Sequence, residues 1–192
     1  AASGNTPEAA VQPMSALQNG GTQWQIRRAF IPFDTSSLGA NAAVTAVTLD
    51  LFPNAKEDAD NDGNDFISVV NTTVADPTSL VAEDYDQWGS TRAHEITEDK
   101  DITGITLSTT LTWTFNATGR GFISLTGWTK LGLREGHDLV DDANNAAGNT
   151  FVTFNSSADT ANKPTVNITY TTTSTSTSTT STSSSTSTTT ST

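Results

Sequence analysis

Cysteine is absent from this chain, so disulfides play no part in its stability, and cysteine usage carries no information on its compartment. Basic residues are scarce: 9 Lys and Arg stand against 21 Asp and Glu, for a net charge of −12. Phosphate recognition needs a basic face, so this balance argues against a nucleic-acid partner and, with less force, against an anionic membrane surface. No apolar run is long enough to span a bilayer. Histidine occurs only at His94 and His137, and there is neither a nucleophile-elbow serine nor a His-rich motif. No internal repeat is visible. An initiator methionine is also missing; the opening Ala1-Ala2-Ser3 reads as a mature N-terminus left by a signal peptidase.

What is present is a body of short, alternating apolar segments, followed by a tract from residue 171 to 192 made only of Ser and Thr. Without that tract, about 170 residues remain, enough for one domain with a sizeable core. The organising stretch is residues 24–52, WQIRRAFIPFDTSSLGANAAVTAVTLDLF. Trp24, Ile26 and Phe30 share one face of a first strand, while Ala29, Ile31 and Phe33 share the other. Val47, Leu49 and Leu51 alternate with Thr48 and Asp50 in a second. Alternation with period two is the mark of a half-buried strand. The connector between the two holds Asp34, Ser36, Ser37, Gly39 and Asn41, which favour turns.

Further strands are predicted at 66–73, 102–107, 111–116, 128–133, 151–154 and 164–170, with 122–125 either a strand or one helical turn. Residues 1–23 read as a leader or docking arm in which 9–17 form a short helix or an edge strand. Residues 53–65 read as an acidic loop, 75–89 as turn or short helix, and 90–102 as a charged, exposed segment. Eight or nine short strands with polar turns and no long helical period predict an all-β, jelly-roll-like β-sandwich over residues 24–170. The succession RRAFIPFDTSSLGANAAVTAVTLDLF, NDFISVV, DYDQWGS, FNATGRGFI, KLGLREGHDL and PTVNITY resembles the DNRLRE-type β-sandwich domains. That resemblance implies a fold similar to carbohydrate-binding modules, found in secreted and surface proteins and in phage structural proteins. It carries no catalytic motif, and fold alone does not set activity.

Several constellations carry possible chemistry. Asp58-Ala59-Asp60-Asn61-Asp62-Gly63 sets three carboxylates at alternate loop positions before a turn-forming glycine, a spacing that suits Ca²⁺. The twelfth position of such a loop is Val69 rather than Glu, so an EF-hand is not expected, and Asn64 or Asp65 is the candidate to complete a looser site. The competing reading is a solvated acidic hairpin tip. His137 and Asp138 invite an acid–base or metal reading. Against it, Arg134, Glu135, His137 and Asp138 can simply cap a strand end through hydrogen bonds and ion pairs. Asp84 and Asp86 offer carboxylates for glycoside hydrolysis, but an acidic chain offers many such pairs.

Trp24, Trp88, Trp113 and Trp128 are candidates for core packing or sugar stacking. Trp88, beside Gly89 in a predicted loop, is the one expected at the surface against a glycan. Arg27 and Arg28 sit mid-strand, so one of them should point inward and need a carboxylate partner. Sequons occur at Asn71, Asn116, Asn155 and Asn167, the last expected to face solvent. The tract beginning Thr171, Thr172, Thr173, Ser174, Thr175, Ser176 is a candidate for O-glycosylation, or a flexible linker if bare.

These features predict an extracellular, non-enzymatic structural subunit of a glycosylated surface filament or appendage, homo-oligomeric through its terminal segments. The alternatives are a carbohydrate-binding or adhesion module of a larger surface protein, and a phage structural domain.

Overall fold

The computed structural model describes residues 14–18, 23–59, 61–142 and 148–172. Twelve strands run through them: β1 (Met14–Gln18), β2 (Gln23–Arg27), β3 (Ala29–Asp34), β4 (Ala42–Leu51), β5 (Pro53–Asp58), β6 (Phe66–Thr72), β7 (Trp88–Arg92), β8 (Lys100–Asp101), β9 (Leu111–Thr114), β10 (Trp128–Glu135), β11 (Asn149–Phe154) and β12 (Thr165–Thr172). The helical pieces are a turn α1 (Ala117–Arg120), a turn α2 (Gly136–Val140) and short 3₁₀ segments.

The strands form three sheets, ordered β2-β1-β11-β5, β3-β10-β6-β7 with β8 also on β6, and β12-β4-β9. Every pairing is antiparallel. Inward-facing residues of all three sheets meet in one cluster: Ile31, Ile67, Val69, Leu131 and Leu133 against Leu49, Leu51 and Trp113, with Val152 and Phe154. This is the all-β, sandwich-like fold that the strand count predicts. No helix among the described residues is long and apolar enough to cross a membrane.

β10 shows how the pattern acts. Thr129, Leu131, Leu133 and Glu135 alternate onto one face and are wholly buried. The opposite face carries Lys130, Gly132 and Arg134. A Cβ at Gly132 would lie 2.3 Å from Trp88 Cδ1, so the absent side chain is what lets the indole approach the strand so closely. Around that ring a second cluster forms from Val70 and Val74, with Phe30, Leu80 and Leu139 packed on it.

The structure departs from the sequence expectations in several places. β1 pairs with both β2 and β11, so residues 14–18 belong to the domain's own sheet and are not a loose leader. Residues 1–13, the remainder of that predicted arm, lie outside the described residues. β5 begins at Pro53, where an acidic loop was expected; proline at a strand's first residue costs little ladder bonding. Residues 102–107 are not a strand. There the Lys56 ammonium donates to the carbonyls of Ile102, Thr103 and Ile105 at 2.9, 2.6 and 2.7 Å, so backbone acceptors are satisfied without a ladder. In the segment 90–102, expected to be exposed, Ala93, His94 and Ile102 are buried.

Candidate metal centre

β10 and β6 pair with Glu135 opposite Ile67, which sets the end of one strand beside the start of the other. The loop that leads into β6 therefore lies against the first turn of α2. Contact there is close: a Cβ on Gly136 would come within 1.9 Å of the Asn64 carbonyl oxygen. Any side chain at 136 would push the loop away. Local bonds from short acidic side chains give the loop its shape. Asp58 Oδ1 accepts from the Asn61 N–H at 3.0 Å, Asp62 Oδ1 from the Asn64 N–H at 2.9 Å, and Asp65 Oδ2 from the Gly63 N–H at 3.1 Å. Asn61 and Gly63 take the left-handed conformation, with φ of 48° and 103°.

Facing this loop is His137, only 1% exposed. Its Nδ1 lies 2.8 Å from Glu135 Oε1, and its backbone N–H donates to Glu135 Oε2 at 3.1 Å. The other ring nitrogen, Nε2, lies 3.3 Å from Asp62 Oδ1. Asp65 is 3% exposed, and among the described residues its Oδ1 has no hydrogen-bond partner. One ligating atom from each of Asp62, Asp65 and His137 lies within 4.8 Å of the other two.

The electrostatics follow from this crowding. Burial alone would lower the pKa of His137, but the Glu135 hydrogen bond and the charges of Glu135, Asp62 and Asp65 outweigh it and raise it to about 9. Burial pushes the Asp65 carboxyl above the usual carboxylate range; the nearby Asp58 carboxylate adds to this, while the Gly63 N–H and His137 oppose it.

Behind the site, Asp138 turns the other way. Two arginines fork its buried carboxylate: Arg28 donates from Nη2 to Oδ1 at 2.7 Å and from Nε to Oδ2 at 2.9 Å, and Arg134 donates from Nε to Oδ2 at 2.7 Å. Burial would raise the Asp138 pKa, but these bonds more than offset it and hold the carboxyl below its ordinary value. Arg28 also donates to the Tyr85 carbonyl at 2.8 Å and stacks over the Tyr85 ring, 4.4 Å from its centroid. Arg28 is thus the inward-pointing arginine of the predicted pair, with Asp138 as its carboxylate partner.

The predicted site residues meet different fates. Of the four acidic loop residues, Asp62 and Asp65 come together. Asp58 accepts from the Thr103 hydroxyl and the Asn61 N–H, and Asp60 lies outside the described residues. Trp88 is not a surface platform: it is 8% exposed, its Nε1–H donates to the Ala29 carbonyl at 2.8 Å, and Phe30 packs edge-on against it. Trp113 is buried, and Trp128 is 40% exposed.

Asp84 is buried and accepts from the Val81 N–H at 2.9 Å, closing a 3₁₀ turn, whereas Asp86 is exposed. Among the sequons, the Asn71 Oδ1 is buried, and Asn116 caps α1 by accepting from the Gly119 N–H at 3.0 Å. Asn155 donates to Asp159, and Asn167 is exposed, bonding to Asp50. Thr171 and Thr172 are exposed residues of β12, while Thr173, Ser174, Thr175 and Ser176 lie outside the described residues.

Sequence reasoning treated the D-x-D-x-D-G run and the R-E-G-H-D run as separate features. It missed that the β6–β10 register joins them. The glycine between Glu135 and His137 was the available sign, since a glycine next to a strand end often marks close backbone approach. No family model matches the chain, and neither the curated proteins nor the solved structures searched yield a match.

Proposed function

We propose that this chain is a non-catalytic structural subunit of an extracellular, glycosylated surface filament, its copies joined by strand addition. The observation that carries the reading is the outer edge of β12. This strand pairs with β4 along eight residues, from Thr165 to Thr172, and among the described residues no strand covers its other side. A long exposed edge presents a row of backbone donors and acceptors that natural sheets cover or blunt. An extended segment of a neighbouring copy is a fitting cover, because main-chain bonding asks little of its sequence.

β12 leads directly into the Ser/Thr tract. Threonine, 13 of the 22 residues of that tract, favours extended backbone, and 22 fully extended residues reach roughly 70 Å at ~3.3 Å each. That exceeds the width of a domain whose radius of gyration is about 15 Å. Exposed Asn167, Thr171 and Thr172 give sugars room on the same strand. The resemblance to DNRLRE-type domains supports the surface setting. The binding-module alternative loses Trp88, which is packed away, and keeps Trp128, 40% exposed, as its stacking candidate.

Electron microscopy of full-length chain and of chains lacking residues 1–13 or 173–192 tests the reading. Regular filaments from the full chain, lost in one of the truncations, are expected. Isolated particles from the full chain, or filaments unchanged in both truncations, would transfer support to the binding module. Mass spectrometry of native tail peptides is expected to find added sugar.

A further inference from the structure

We propose that Asp62, Asp65 and His137 form a binding site for one divalent transition-metal ion of the zinc class, with Glu135 as the positioning residue behind the histidine. Acidic loops are common without a metal, and an acidic cluster alone would carry no such weight. Two further observations point to a ligand here. The Asp65 carboxylate is buried yet has an oxygen, Oδ1, that meets no donor among the described residues. A buried carboxylate oxygen left without a partner is costly, and a cation removes that cost. Independently, His137 is held as metal-binding histidines are held: a carboxylate, Glu135, takes the Nδ1 side at 2.8 Å and leaves Nε2 on the side of Asp62, 3.3 Å from its Oδ1.

The donor set selects the class of ion. Ca²⁺ takes six to eight oxygens from a flexible loop. Here one donor is an imidazole nitrogen, which suits zinc-like ions, and among the described residues two carboxylates, Asp62 and Asp65, converge with it. The 3.3 Å between His137 Nε2 and Asp62 Oδ1 is close to the ~3.4 Å edge of a tetrahedron with ~2.1 Å bonds. Binding exchanges the Nε2 proton, released to solvent, for the metal, and the two carboxylates balance its charge. The remaining position is open to water. The ion would pin the loop before β6 to the end of β10, tightening a connection now held by short polar bonds. The inference does not depend on the filament reading.

Calorimetry and thermal melts of full-length protein, stripped with a chelator and titrated with ZnCl₂, MnCl₂ or CaCl₂, test it. One Zn²⁺ per chain and a raised Tm are expected, with Ca²⁺ at least 100-fold weaker. His137→Gln should lose at least 100-fold in Zn²⁺ affinity, and Glu135→Gln about 10- to 100-fold through the lost support of the ring. In NMR spectra, Zn²⁺ should move the ring signals of His137 and leave those of His94 in place. Asp62 is partly exposed, so Asp62→Asn should fold even if the buried variants do not, and its affinity should fall about tenfold. The proposal is overturned by no stoichiometric Zn²⁺ binding, by unchanged affinity in folded His137→Gln or in Asp62→Asn, or by Ca²⁺ binding more tightly than Zn²⁺. The last result would return the loop to the calcium reading.

Discussion

The two histidines of this chain are both buried, beside the same strand β6, and their surroundings drive them in opposite directions. His94 is held by backbone. Its Nε2 accepts the Val69 N–H at 3.0 Å and its Nδ1 lies 2.9 Å from the Glu95 carbonyl, a pairing that only a neutral ring protonated at Nδ1 can make. Burial lowers its pKa, helped by Arg92 and Lys100, and the Glu95 carbonyl and Asp99 only partly oppose this. His137 is held by carboxylates and keeps its charge through neutral pH. Depth alone therefore does not set a histidine's state. What matters is whether the partners offered are N–H donors or anions. His94 serves as a fixed joint of the sheet, where a backbone donor in an irregular stretch needs an acceptor. His137 sits where positive charge is wanted, and a proton or a metal ion can supply it.

The sharpest way to break this comparison is to remove the anion behind His137. Glu135→Ala leaves a buried imidazolium without its nearest partner, and losing one member of such a pair costs about 3–5 kcal/mol. Urea unfolding of chelator-treated protein should show that loss. The matching change at the other histidine, His94→Leu, preserves bulk but leaves the Val69 N–H buried without its acceptor, at a cost of about 1–3 kcal/mol. If the His94 variant proved the less stable of the two, the assignment of charge to one site and neutrality to the other would be wrong.

How far the sequence foretold this contrast depends on the range of the interactions. Local patterns were legible: the alternation in β4, the strands at β6 and β10 and the polar turn after β3 stand where periodicity and turn chemistry put them, whereas the expected acidic loop is a strand as far as Asp58. Long-range partners were not. Nothing near His94 in sequence says that it would meet Val69, and its charged neighbours suggested an exposed segment. The site at His137 likewise exists because β10 pairs with β6, a register fixed by the burial of whole strand faces and not by any local motif. Trp88 was misread for the same reason: its environment is set by Gly132 on another strand, and the neighbouring Gly89 was a poor guide.

The acid side of the stability curve sharpens the comparison further. His94 has a folded pKa below its unfolded value of about 6.5. Its contribution is therefore fully present above about pH 6.5 and declines as the pH falls through the folded value, because the unfolded chain binds the proton more readily. His137, raised to about 9, has the opposite sign: its contribution is intact below about pH 6.5 and lost only as the pH rises through about 9. Lowering the pH from 7 to 5 should thus destabilise wild-type protein more steeply than His94→Leu, as read from Tm. Equal slopes would mean that His94 is not held neutral.

The smallest effect should come from the rim of the charged site. Asp62 is exposed, and its side chain retains 32% of its accessible surface while approaching His137 at 3.3 Å. Water screens such a carboxylate, so the pair contributes roughly 0–1 kcal/mol. Asp62→Asn in chelator-treated protein should therefore leave urea stability almost unchanged. Yet Asp62 is one of the charges that raise the His137 pKa, and the amide keeps the shape while removing the charge. Following the His137 ring by NMR should show its titration midpoint moved down, with that of His94 unmoved. A large loss of stability would mean that Asp62, and not Glu135, is the principal counter-charge. An unmoved His137 midpoint would mean that Glu135 alone holds the proton and the loop is electrostatically detached from α2.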